Sequence, residues 1–465
     1  MHVPSATGGS NADGRPTADL SLHELFDLNS YWLAINILWG ALGISLLPLL
    51  IIDTVCGGNP VCATPTPILG GIVAPKGTAE AIITTLGVLV AILVQPTVAA
   101  ISDHTSTRIG RRKPFIIVGT ILDMVFLLGF YLAGAWIGLL IFYVLLQFSS
   151  NFAQGPFQGY MPDLVPARQV GLASGLMGLM ILLGTGGGAI LVAAATYFGN
   201  PRAAVFVIMA VELVTMLLTV TRVRDGRAGI PRNGRSWRRI ALEAWGTDIL
   251  HERSFIWLLG SRLFLLMATS TLIAMSLFFM QDTFALERQE AVNLTAVAGI
   301  LVIVFGAIAT LPSGRLSQRF GRKRMIYLAA AIGFVGMAGV ATAGSPTQAL
   351  VFVVLVGVGG GIFLAVDWAL MTDIIPKAES GRYMGISNVV TGASGALAAA
   401  IGFVILDYGN KISYGLGPRL AFGVACCYYV LGALLLRPVD EHRREDVVEA
   451  EPVSDPAVSP VPAAG

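Results

Sequence analysis

S-D-H-T-S-T-R-I-G-R-R-K-P-F, from Ser102 to Phe115, decides the fold. Arg108, Arg111, Arg112 and Lys113 crowd around Gly110, and a long apolar run enters and leaves on each side. A second stretch, G-R-L-S-Q-R-F-G-R-K-R from Gly314 to Arg324, repeats the device, and Gly110 and Gly321 lie 211 residues apart. P-D-L-V-P (Pro162–Pro166) answers T-D-I-I-P (Thr372–Pro376) at an offset of 210, as Gly171 and Gly175 answer Gly381 and Gly385. Landmarks that keep nearly one spacing mark an internal duplication.

Outward from the hinges the chain is apolar. Of 465 residues 55% are hydrophobic and 12% charged, with mean hydropathy +0.74; a soluble domain carries about 25% charged residues. The composition excludes an ordinary soluble fold. A formal net charge of +2 gives no general case for nucleic acid. A helix needs about 20 apolar residues to span a bilayer. Twelve such runs are read at 31–52, 80–101, 115–135, 137–160, 171–196, 202–221, 255–280, 292–312, 325–344, 348–371, 386–406 and 418–436. The expected fold is an all-α integral membrane protein, twelve transmembrane helices in two six-helix repeats. Its parts are a cytoplasmic tail without fixed structure (1–30), a first bundle (31–221), a basic connector (222–253), a second bundle (254–437) and a second such tail (438–465).

Lysine and arginine set the orientation. With both termini inside, 24 of the 30 basic residues fall on inner segments and five on outer ones, while Arg262 lies within a span. The protein is therefore expected in the cell (inner or plasma) membrane, multi-pass, with cytoplasmic termini. Trp237, Ile240, Ala241, Ala244 and Trp245 of the connector share a helical face, which suggests an amphipathic helix on the inner leaflet. Cys56 and Cys62 share one loop and could form a disulfide if that loop faces outside. No cofactor is implied, and no residue pattern resembles a metal site.

The residues also carry a family resemblance. The whole chain resembles the major facilitator superfamily. The first hinge, through Asp103, Arg108, Gly110, Arg111, Arg112, Pro114 and Phe115, is similar to the hinge of the glycoside–pentoside–hexuronide:cation symporters and the plant sucrose–proton symporters. N-F-A-Q-G-P-F-Q-G-Y-M-P-D-L (Asn151–Leu164) is similar to a fourth-span segment of the sucrose symporters. The resemblance implies uptake of a sugar driven by a cation gradient. The chain departs from it at three charged family positions, where it has Gln95, Gln147 and Gln158. These remove a second-span aspartate suited to Na⁺ and a fourth-span aspartate suited to a proton.

Candidate functional residues fall into three groups. Gln147, Asn151, Gln154 and Gln158 recur at helical spacing and share one face. Four amides turned toward lipid would be expensive, so that face is expected to look inward, lining a solute pocket or joining helices. Asn36, Trp39, Trp368 and Asn388 could complete the pocket. Ionisable residues within spans are functional candidates by default: Asp367, Asp123, Glu212 and Arg262 for proton coupling, or for structural ion pairing. Around the hinges, Asp103, Arg108, Gly110, Arg111, Arg112, Lys113 and Asp163, with Gly321, Arg322 and Asp373 in the second half, are expected to latch cytoplasmic helix ends so that the halves can rock. His104 is read as a solvated loop residue. Asp53, Asp282 and Asp407 are read as interfacial only.

The expected function is secondary active transport: proton-coupled uptake of a sugar or similar polyhydroxylated solute by a monomer in the lipid bilayer. The alternatives are an exporter or antiporter of another metabolite, and a non-transporting factor for membrane-protein assembly. The fifth span lacks the proline of the drug-antiporter motif, which weighs against export. No nucleophile–base pair, phosphate loop or metal set supports an enzyme.

Overall fold

In hydrocarbon a backbone must satisfy its own hydrogen bonds, which leaves helices as the form for the apolar runs. The structure is a computed structural model that describes residues 18–59, 67–69, 72–166, 169–225, 231–232, 234–243, 253–374 and 380–440. Among them twelve helices are long and apolar enough to cross a membrane. These are α1 (Leu22–Val55), α2 (Lys76–Asp103), α3 (Lys113–Leu132), α4 (Trp136–Gln158), α5 (Val170–Tyr197) and α6 (Ala204–Arg222) in the first half. The second half holds α7 (Arg253–Thr283), α8 (Arg288–Phe320), α9 (Arg322–Thr342), α10 (Pro346–Ile374), α11 (Ser380–Ile412) and α12 (Leu416–Leu435). Among the described residues the regular structure is helical apart from one small antiparallel hairpin, β1 (Pro67–Leu69) with β2 (Ile72–Val73), between α1 and α2. Cys56 is disulfide-bonded and Cys426 and Cys427 are free; Cys62 lies outside the described residues.

The first helix begins well before residue 31, which corrects the boundary of the N-terminal tail. Ser21 Oγ accepts from Glu24 N at 3.3 Å and the Glu24 carboxylate accepts from Ser21 N at 2.9 Å, a capping box that satisfies two orphan donors. Leu25 and Leu28 are buried behind it, and Leu20 exchanges two 2.9 Å hydrogen bonds with Gln169 before α5. Asp27, Asn29 and Ser30, which lower the hydropathy here, are buried against protein, while His23 and Glu24 stay exposed.

The duplication is visible in the backbone. Gly110 (φ +130°) and Gly321 (φ +88°) both occupy the left-handed region that favours glycine. Arg202, entering α6, donates to the carbonyls of Tyr131 and Ala133 at 3.1 and 2.7 Å. Arg419, entering α12, does the same for Ala341 and Ala343, both at 2.7 Å. Each arginine closes the open carbonyl end of the third helix of its half. Small residues set the helix approaches: a Cβ on Gly361 of α10 would stand 2.0 Å from the Gly306 carbonyl oxygen of α8, so only glycine lets these backbones touch.

The connector differs from expectation in one respect. Its helix, Trp237–Glu243, is described, and Ile240 is 2% exposed. It packs against the hinge end of α2, and Arg235 Nη2 lies 3.1 Å from His104 Nε2. Its apolar face is thus applied to protein at Ile240, while Trp237 stays exposed beneath the Arg232 guanidinium. His104 is correspondingly a bonded residue rather than a solvated one. Ala244 and Trp245 lie outside the described residues.

Candidate functional site

Helix α4 brings its amides inward as its periodicity requires. Gln147 and Asn151 are each 6% exposed. Asn151 Nδ2 donates to the Gln147 carbonyl oxygen and Oε1 at 2.8 and 3.1 Å, and Gln147 Nε2 reaches Tyr143 Oη at 3.4 Å. The neighbouring wall is α2, where a Cβ on Gly87 would stand 2.5 Å from the Tyr143 ring and 2.9 Å from Gln147 Cγ. Trp39 of α1 donates Nε1 to Ser150 Oγ at 3.3 Å and sets its ring edge-on to Tyr143 at 5.9 Å. The structure thus assembles Trp39, Gln147 and Asn151 into one group, with Gln154 and Gln158 half-buried further along α4. Asn36 stands apart: its amide donates to the Trp32 carbonyl at 2.8 Å, and its Cβ would lie 2.6 Å from one built on Gly184 of α5. Trp368 and Asn388 belong to α10 and α11, but their side chains lie outside the described residues.

The intramembrane charges form two separate groups. In the second half Arg262 of α7 is ion-paired with Asp367 of α10, and Arg262 Nη2 donates to Thr391 Oγ1 of α11 at 3.0 Å. The two charged residues are 3% and 0% exposed, so one salt bridge joins three helices in a dry setting. In the first half Asp123 of α3 accepts from Ser149 Oγ of α4 at 2.5 Å. Glu212 of α6 is 1% exposed, has no hydrogen-bond partner among the described residues, and lies within electrostatic reach of Asp123. Both carboxylates are buried within the first half, at 0% and 1% exposure. At the repeat-related positions of the second half, Gly333 receives the Tyr429 ring, so the acid pair belongs to the first half alone.

The hinge cluster assembles, but wholly within one half. Arg111 pairs with Asp163, and Arg112 Nη2 lies 2.9 Å from Asp103 and 2.7 Å from Asp163. Asp225, a residue absent from the sequence reading, accepts from the backbone N–H groups of Arg112 and Lys113 at 2.7 and 3.1 Å, capping α3. Burial, reinforced by Asp225, pushes the Tyr160 phenol beside Arg112 above its ordinary value. The cluster ties the ends of α2, α3 and α4 to the chain after α6. It joins neighbouring helix ends of the first half, and among the described residues it takes in no residue of the second half. Arg108 is exposed and Lys113 takes part through its backbone. The Asp373 side chain lies outside the described residues. Arg112→Ala leaves Asp103 and Asp163 without their shared cation; the arginine side chain is buried at 4% exposure but the carboxylates are 36% and 34% exposed, so the loss costs about 1–3 kcal/mol. The expected result is a protein with a clearly lower melting temperature; an unchanged melting curve would remove the cluster's structural role.

Between the halves, polar contacts gather at the opposite end. Lys76 of α2 donates to Asp282 of α7 at 2.7 Å, and each residue is 3% exposed. Asp282 also accepts from Asn410 and Tyr414, both at 2.8 Å. Burial and the Asp282 charge hold the Tyr414 phenol above its ordinary value, so it stays a donor. Asp407 of α11 accepts from Gly77 N at 3.1 Å and from both Thr78 N and Oγ1 at 2.6 Å; a carboxylate here also complements the N-terminal dipole of α2. Arg288 of α8 forks onto Asp53 of α1 at 2.6 and 3.1 Å. Asp53, Asp282 and Asp407 are therefore closure residues across the seam, correcting the interfacial reading. Sequence reasoning missed them because charges at span ends are common and pairing across 206 or more residues leaves no local signal.

The fold and these charges define a polytopic membrane protein of two duplicated six-helix halves. The sequence profile of the Major Facilitator Superfamily matches residues 63–399 and 263–463; the chain belongs to that superfamily. A solved bacterial homolog of the human lysosomal transporter Spinster, inward-facing and unoccupied, is similar at 14% identity and TM-score 0.70, over 90% of this chain and 97% of that one. A solved D-xylose–proton symporter is similar at 15% identity and TM-score 0.65, over 89% and 96%. Multidrug resistance protein 3 of Bacillus subtilis is 30% identical over 94 residues, 20% of this chain and 18% of that protein. The chain spans about a fifth of the length of the curated relatives it matches.

Proposed function

We propose that the protein is a secondary active transporter that takes up a sugar or similar polyhydroxylated solute, coupled to protons, by alternating access. The observation that carries this reading is the buried amide group Trp39–Gln147–Asn151 in one half, with the dry Arg262–Asp367 pair in the other. Amides and an indole ring suit a ligand with many hydroxyls and an apolar face. A carboxylate that must lose its arginine before it can protonate suits a coupling switch, with Asp123 and Glu212 the next candidates. By the distribution of basic residues the hinge ends face the cytoplasm. On that orientation the Lys76–Asp282 end faces out and is shut, so the conformation is closed outward. The hinge and fourth-span resemblance supports a place near the glycoside–pentoside–hexuronide symporters.

The test is uptake of a panel of mono- and disaccharides into proteoliposomes under an imposed pH gradient. Proton-dependent accumulation of at least one sugar is expected; no flux of any sugar overturns the substrate class. The similarity to Multidrug resistance protein 3 favours a second reading, export or antiport of another solute, which proton-driven efflux from inverted vesicles would reveal.

A further inference from the structure

A groove of about 460 Å³ runs between α9 and α12 of the second half; one water occupies about 30 Å³ in the liquid. Small side chains make it. Tyr327, Ala331 and Phe334 of α9 face Val430, Ala433 and Leu434 of α12. Gly333 lets the Tyr429 ring sink between the helices, since a Cβ there would stand 2.5 Å from that ring, and the alanines leave the groove unfilled. Phe334, Val430 and Leu434 are exposed along it. Among the described residues the groove is therefore open to the surroundings of the helices, which in a bilayer are hydrocarbon chains.

Both walls end in an arginine. Arg324, Tyr327, Ala331 and Phe334 follow one another at spacings of three, four and three, and Val430, Leu434 and Arg437 at four and three, so each set is one helical stripe. The start of α9 and the finish of α12 meet where Lys323 Nζ donates to the carbonyls of Arg437 and Val439 at 3.0 and 2.7 Å. Arg437 lines the groove, and Arg324 lies one turn from Tyr327 toward the same end; both are exposed. On the orientation that the basic residues give, this end meets the cytoplasmic leaflet. The arrangement is not that charge rule applied to each half alike. The residue that stands to Arg202 as Arg437 stands to Arg419 is Val220, and Arg222 further on is engaged with Asp27 at 3.5 Å.

We propose that this groove binds one anionic phospholipid of the cytoplasmic leaflet, with an acyl chain between α9 and α12 and the phosphate held by Arg437 and Arg324. Guanidinium groups meet phosphate oxygens in pairs, and basic pockets between helices on the cytoplasmic side select anionic headgroups. A headgroup that carries its own ammonium is neutral overall and answers two arginines less well. The site takes in no residue of the proposed solute pocket and is independent of the sugar reading.

The test uses the full chain in phosphatidylcholine nanodiscs doped with phosphatidylglycerol that bears a diazirine in its acyl chain, with cross-links mapped by peptide mass spectrometry. Labelling is expected on 327–334 and 429–434, displaced by excess phosphatidylglycerol and not by further phosphatidylcholine. Arg437→Gln should weaken it about fivefold, at about 1 kcal/mol per basic residue near the membrane surface and about 1.4 kcal/mol per tenfold. Arg437→Lys should keep most of it, and Arg437→Gln with Arg324→Gln should carry the loss to roughly twenty-fivefold on the same footing. Ala331→Phe should abolish labelling by filling the groove. The three substituted side chains are exposed, so each variant is expected to melt as the parent does. Equal labelling by a diazirine phosphatidylcholine, or indifference to both arginine variants, overturns the proposal, because the occupant is then ordinary boundary lipid. So does labelling that survives Ala331→Phe, which would place the lipid on the surface and not in the groove. Uptake is not the readout, so failure here leaves the sugar reading untouched and the converse also holds.

Discussion

Asp367→Asn is expected to abolish uphill accumulation of solute while sparing exchange. Accumulation needs a group that loads and releases a proton within the transport cycle, and asparagine cannot. Exchange needs only that the halves rock with solute bound. The substitution also leaves Arg262, 3% exposed, without its carboxylate. An uncompensated buried charge costs about 3–5 kcal/mol, so the variant should melt earlier as well. A companion separates the two effects. Replacing a buried pair by apolar residues of similar volume is often neutral, so Arg262→Met with Asp367→Leu should recover stability yet remain unable to accumulate. The measurements are counterflow and gradient-driven uptake in proteoliposomes beside melting curves. Equal loss of accumulation and exchange in a well-folded variant, or loss of neither, moves the coupling role to Asp123 and Glu212.

The second large effect is expected at the opposite end of the seam. Lys76→Ala leaves Asp282 buried, still bonded to Asn410 and Tyr414 but without a cation. At about 3–5 kcal/mol for a broken buried pair, and about 1.4 kcal/mol per tenfold, the closed arrangement loses roughly two to three orders of magnitude in population against states that hydrate Asp282. Spin labels at the exposed Val73 and Tyr408, one in each half, should show a new population at longer distance. Asp282→Asn should give the same shift from the other side of the pair. Distances that stay put in both variants would mean that Asp407 and Arg288 hold the closure without Lys76.

Much of the fold was legible in the sequence. Twelve hydropathic runs fixed the number of spans, because hydrocarbon thickness sets a nearly constant helix length. The hinge glycines at 211 residues' separation announced the duplication, and the structure adds that both adopt a left-handed backbone. The inward turn of Gln147 and Asn151 followed from helical periodicity. Other features were hidden for physical reasons. Residues 22–30 read as tail because capping and burial of Asp27, Asn29 and Ser30 against protein do not register in hydropathy. The hinge charges were expected to hold neighbouring helix ends together, but which carboxylate each arginine meets depends on where α4 ends. Asp225, Arg202 and Arg419 act on backbone groups of distant helices, and a sequence does not show which carbonyls or amides lie near.

By itself the sequence determined everything governed by local chemistry and by the bilayer: span count, duplication, the basic end of each half and the polar face of α4. Only the tertiary structure decided which charges meet. Arg262 chose Asp367, Lys76 chose Asp282, and Asp407 chose the start of α2, from many candidates of suitable sign. The reason is that charge pairing falls off within a few ångströms in water but is enforced where water is excluded, and the packing of the two halves sets which places are dry.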